Sequence, residues 1–119
     1  MATPQSLSFG RDIQGYNAYA PVPSNNKQSV SIASAGHATF TVPSTSQTWI
    51  VNFSFTPGSE FWVAYDGATA APPAGSTFAS TTSEMLPAQR FLKSGSVVDV
   101  YNNGTATASV GVVMYASKE

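Results

Sequence analysis

From residue 28 onward the chain alternates apolar and polar side chains with a period of two, the signature of strands with one buried face. Val30 and Ile32 alternate with Ser29 and Ser31, and Phe40 and Val42 with Thr39 and Thr41. The clearest run covers residues 47–56. Trp49, Val51, Phe53 and Phe55 share one face there, with Asn52 and Ser54 opposite, and Pro57-Gly58 ends the run as a turn. Phe61, Val63 and Tyr65 then share a face against Trp62 and Ala64, and Asp66-Gly67 closes that strand. Residues 67–76 form a loop of small residues. Weaker strands are predicted at 83–86 and 89–93, then 97–101 after a turn at 93–96. The last strand, 105–115, sets Ala106, Ala108, Val110, Val112 and Met114 on one side. Asn103-Gly104 between these two strands predicts a type I′ hairpin turn, because both central positions of that turn need positive φ.

No apolar set recurs at helical spacing over three turns, so no helix longer than about two turns is expected. Seven to nine short strands with a one-sided apolar pattern must cover that face, and two packed sheets do so economically. The expected fold is all-β: an antiparallel β-sandwich, jelly-roll-like, with a closed barrel as the alternative. Residues 1–27 break the pattern. They carry Pro4, Pro21, Pro23, Gly10 and Gly15 among unperiodic apolar residues, which reads as an extended N-terminal arm preceding a sandwich domain at 28–119. Such an arm buries its own apolar groups poorly. Phe9, Tyr16, Tyr19 and Val22 are therefore its candidate protein contacts, in cis or on a neighbouring subunit.

Composition narrows the function. Only 9% of the 119 residues are charged, with a net charge of -1, while 17 serines and 12 threonines fill the polar positions. A binder of nucleic acid or anionic membrane needs a basic stripe that this chain lacks. Without cysteine there is no disulfide, thiolate metal site or cysteine nucleophile. The single histidine, His37, excludes a multi-histidine metal site. Residues 1–5 carry neither a basic nor an apolar signal region, and the longest apolar run is far short of a membrane span. The expected setting is therefore a cytoplasm or an assembly formed there.

Candidate chemistry is sparse. No serine lies in a Gly-x-Ser-x-Gly elbow, and His37 reads as a strand-edge residue. Glu60 and Asp66 have the same parity but lie about 20 Å apart along a strand, too far for a glycosidase pair. Asp99 stands opposite Val98 and Val100, as a solvent-side residue would. No glycine-rich phosphate loop precedes a Lys-Ser or Lys-Thr. No catalytic, metal or cofactor site is expected, and no enzyme. The aromatics offer more. Trp49 reads as core, whereas Trp62 points away from Phe61 and Val63. Trp62, with Tyr65, is a candidate platform for stacking a sugar's C–H face; the competing expectation packs Trp62 under the 67–76 loop or against the arm.

The segments TWIVNFSFTPGSEFWVAYDG, LPAQRFLKSGSVVDVYNNG and TATASVGVVMYA resemble small virion proteins of tailed bacteriophages that decorate or cement the capsid shell. The resemblance spans about two-thirds of the chain, in strand phrasing and composition. It implies a jelly-roll or related sandwich without enzymatic role, assembled in the host cytoplasm into the virion. The implied partners are the major capsid protein or other virion proteins, with lattice or homo-oligomer contacts and neither nucleic acid nor membrane. The alternative implied by tail and fibre components of the same style is a receptor- or carbohydrate-binding module.

Overall fold

The structure, a computed structural model, describes residues 9–11, 17–21, 23–45, 48–79 and 83–117. Among the described residues all ten regular elements are strands: β1 (Phe9–Arg11), β2 (Asn17–Pro21), β3 (Asn26–Ile32), β4 (His37–Thr41), β5 (Thr48–Phe55), β6 (Phe61–Ala64), β7 (Glu84–Met85), β8 (Gln89–Lys93), β9 (Val97–Asn102) and β10 (Ala108–Ser117). Strands β3 to β10 form two antiparallel four-stranded sheets, ordered β3-β10-β5-β8 and β4-β9-β6-β7. The fold is a β-sandwich. From β3 to β10, successive strands change sheet at every connection except β6 to β7, which pair with each other.

The alternating faces meet between the sheets. Trp49, Val51 and Phe53 from β5 are buried against Phe61 and Val63 from β6, Val98 and Val100 from β9, and Val110, Val112 and Met114 from β10. Phe55 is half-buried and extends the stack, 6.0 Å from the Phe53 ring and 5.3 Å from that of Phe61. Trp49, fully buried, carries an indole Nε1 with no hydrogen-bond partner. Its packing therefore outweighs an unpaired polar atom. Ile32 is buried as its alternation predicts, but Val30 is 43% exposed. It lies on edge strand β3, where the two sheets splay into a groove also lined by Phe40, Val110 and Val112.

The expected Asn103-Gly104 hairpin does not form. Strand β9 pairs with β4 and β6, whereas β10 pairs with β3 and β5 in the other sheet. Gly104 is not among the left-handed glycines, so positive φ is not what glycine supplies there. Asn102 governs the crossing instead. Its buried side chain donates Nδ2–H to the carbonyls of Ile32 (2.8 Å) and Ala106 (3.0 Å), and its Oδ1 accepts the Gly104 N–H at 2.9 Å. Two successive left-handed residues occur at Asp66 (φ 60) and Gly67 (φ 83), where the Ala68 N–H donates to the Tyr65 carbonyl. This is the φ pattern of a type I′ turn.

Within the segment expected as an N-terminal arm, the described residues form β1 and β2, an antiparallel pair bonded to neither four-stranded sheet.

Candidate functional site

The site of interest is the outward side of the β4-β9-β6-β7 sheet. Strand register places His37 beside Tyr101, Tyr101 beside Trp62, and Trp62 beside Met85. Adjacent residues at one level of a sheet project to the same face, so four strands contribute one row of large side chains. The His37 and Tyr101 rings lie 4.5 Å apart. One level along, Thr39, Asp99 and Ala64 form the next row.

Asp99 does face outward, as its parity predicts, but it is not solvated: it is 7% exposed. The loop after β6 crosses over it. Ala70, itself buried, donates its backbone N–H to Asp99 Oδ2 at 2.7 Å, and His37 Nδ1 lies 2.9 Å from the same oxygen. A buried carboxylate needs such donors. The lone histidine therefore serves a structural pair at the start of β4, in keeping with its reading as a strand-edge residue.

Beyond that crossing the loop runs beside Trp62. The half-buried indole and residues 73–79 enclose a cleft of about 270 Å³, with Pro73, Ser76 and Phe78 on the loop side. Phe78 is fully exposed, at 105%. At the indole edge, Nε1–H donates to Glu60 Oε2 at 2.9 Å, and Asn103 Nδ2 donates to the same oxygen at 2.6 Å. These two hydrogen bonds, the Trp62 bond foremost, hold the Glu60 carboxyl below its ordinary value of 4.5.

The loop flanks Trp62, close to the expected packing under it, and a cleft separates the two. Tyr65 does not join it. Tyr65 packs against the core, and its hydroxyl donates to Glu84 Oε1. Burial first, and Glu84 second, push the Tyr65 phenol above its ordinary value. The residues that do accompany Trp62 are Tyr101, Phe78, Glu60 and Asn103. Phe78 carried a sequence signal, a lone large apolar residue within a run of Ser, Thr, Ala and Gly. Of the candidate protein contacts, Phe9 and Tyr19 lie on β1 and β2, whereas Tyr16 and Val22 lie outside the described residues. Among the described residues no three His, Cys, Asp or Glu side chains gather as a metal site would require.

Comparison with known proteins finds no matching family model, no matching curated protein and no matching solved structure.

Proposed function

We propose that this chain is a non-enzymatic structural protein of a bacteriophage virion, a decoration or cement protein that binds and stabilises the capsid shell. The observation that carries the reading is the separate β1–β2 hairpin, which pairs with itself and with neither sheet. A two-stranded hairpin alone is marginal in water; one kept outside a finished sandwich is an element suited to a partner's surface. The strand order supports the same reading. Numbered from β3, the eight sandwich strands run 1-8-3-6 and 2-7-4-5, the wiring of a jelly roll of two interlocked Greek keys, an architecture found in capsid domains. The resemblance of the three quoted segments to small phage virion proteins supplies the setting.

The charge count defines the test. Eleven charged side chains in 119 residues leave few ion pairs for a contact that, at standard size, buries about 1,200–2,000 Å². Such a contact is mostly apolar and hydroxyl surface, which salt does not weaken. Particles carrying the chain are washed from about 0.05 M to 1 M sodium chloride, up to a concentration at which exposed charges are almost fully screened, and the released protein is measured. Attachment is expected to survive, and to be lost in a chain lacking residues 1–22, which retains all eight sandwich strands. Steep release with rising salt, or undiminished attachment of the shortened chain, would overturn the proposal.

A further inference from the structure

We propose that the cleft between Trp62 and the loop at 73–79 binds a single neutral hexopyranose ring, stacked on the Trp62 indole and bounded by Phe78. The inference is independent of attachment to a particle, because it concerns the outward face of the β4-β9-β6-β7 sheet alone.

The cleft is small. At about 270 Å³ the cleft falls just below the roughly 300–1,000 Å³ of sites for drug-sized ligands, room for one ring. Its two aromatic sides come next. The face of an indole is electron-rich, and the axial C–H groups on one side of a pyranose present positively polarised hydrogens to it. Phe78 lines the same cleft and is fully exposed. Phe78 has no cover among the described residues, so its ring is free to lie against a ligand seated in the cleft. Stacking on one aromatic with a second at the side accounts for both residues at once.

Sugar recognition also needs fixed hydrogen-bonding groups at the ring edge. Glu60 Oε2 is tied to the Trp62 indole and the Asn103 amide, which fixes the carboxylate beside the pyrrole edge. Glu60 Oε1 and Asn103 Oδ1 have no partner among the described residues. Both are acceptors, suited to the hydroxyl donors of a ring lying over the indole. With the Glu60 carboxyl held ionised, the edge is negative. A sugar bearing its own carboxylate is repelled and a neutral one is not. The charge thus selects the ligand class, and a general apolar patch would make no such selection.

The test uses the full chain labelled with nitrogen-15 and its two indole N–H resonances. Trp49 is sealed in the core and acts as an internal control. Methyl β-D-galactopyranoside and methyl β-D-glucopyranoside are titrated to about 20 mM, since a ligand of about a dozen heavy atoms is expected to dissociate near 1 mM. The Trp62 resonance should shift saturably with at least one of them, and the Trp49 resonance should stay fixed. Phe78→Ala, at a residue that buries nothing, should keep the unliganded spectrum and weaken binding about 2- to 12-fold, the worth of one aromatic contact. The methyl glycoside of N-acetylneuraminic acid should bind measurably less well than the neutral sugars, and Glu60→Gln should narrow that difference. A Trp62 resonance unmoved by both neutral glycosides, an unchanged affinity in Phe78→Ala, or equal binding of the acidic sugar would each overturn the proposal.

Discussion

Replacing Asn102 by alanine tests whether one buried amide holds the crossing from β9 to β10. Its side chain is fully buried and makes three hydrogen bonds to backbone groups: two donated to Ile32 and Ala106, one accepted from Gly104. At a net 0.5–1.5 kcal/mol each, their loss amounts to about 1.5–4.5 kcal/mol. The Ile32 carbonyl is left unpaired in the interior, whereas water can reach the groups nearer the surface, so a value of about 3 kcal/mol is expected. A domain of this length is stable by about 6–18 kcal/mol, so Asn102→Ala should remain folded with a clearly lower midpoint in urea, followed by tryptophan fluorescence at unchanged slope. Asn102→Asp separates shape from charge. The introduced carboxylate can still accept from Gly104 but faces the Ile32 and Ala106 carbonyls as a further acceptor. Its folded pKa is then raised above the unfolded value of about 3.9. A raised group favours the fold below the unfolded pKa and loses that stability as pH rises through the folded pKa. The variant should therefore fall further behind the parent as pH rises. A loss below about 1 kcal/mol for Asn102→Ala, or a pH-independent penalty for Asn102→Asp, would refute the role assigned to this amide.

Three further outcomes are expected. Trp49→Ala should cost about 3–5 kcal/mol in urea unfolding, because the side chain is fully enclosed; a loss under about 1 kcal/mol would contradict its central position. Gly95→Ala should cost about 1–2 kcal/mol from its left-handed backbone alone (φ 79), since a Cβ there would touch nothing within 4 Å; a neutral substitution would contradict that backbone. The Arg90 guanidinium foremost, with help from Tyr65, holds the Glu84 carboxyl below its ordinary value of 4.5. That pair therefore adds stability above the unfolded pKa and loses it as pH falls through the folded pKa. Both side chains are about 40% exposed (42% and 39%), which limits the effect to about 1 kcal/mol; Glu84→Gln should remove it, and an unchanged acid limb in that variant would disprove the pair's contribution.

What the residues announce is which face each strand buries. The alternation in 47–56 places Trp49, Val51 and Phe53 inside, and that in 105–115 does the same for Val110, Val112 and Met114, as found. Parity says nothing of which strand lies next, and here nearly every connection changes sheet. The Asn103-Gly104 misreading shows why. An Asn-Gly pair tolerates positive φ, but a hairpin also requires its flanking strands to pair. Here the preceding residue, Asn102, satisfies backbone groups on both sides of the crossing with its own side chain, and β10 gains two other neighbours. The left-handed pair falls instead at Asp66-Gly67, a dipeptide with the same tolerance.

The site divides along the same line. That Trp62 faces outward follows from the parity of its strand. Its company does not, because Tyr101 and His37 reach the same row only through the register of β4, β9 and β6. The cleft depends on one further element invisible to any local pattern, the support of the loop after β6. Gly67 donates its N–H to the Val97 carbonyl, Ala70 to Asp99, and Ala71 to the Ser83 hydroxyl. These three bonds fasten the loop to the sheet and to the far end of its own excursion, with Asp99 the only charged anchor among them. The carboxylate that parity assigns to solvent is thus consumed in fixing the loop that walls Trp62. With His37 committed to the same carboxylate, this pair goes into holding the loop, and Trp62 and Phe78 are left to line the cleft. With only 9% charged residues, the chain has few charges to spend on this face, and the proposed binding of a neutral ligand asks for few.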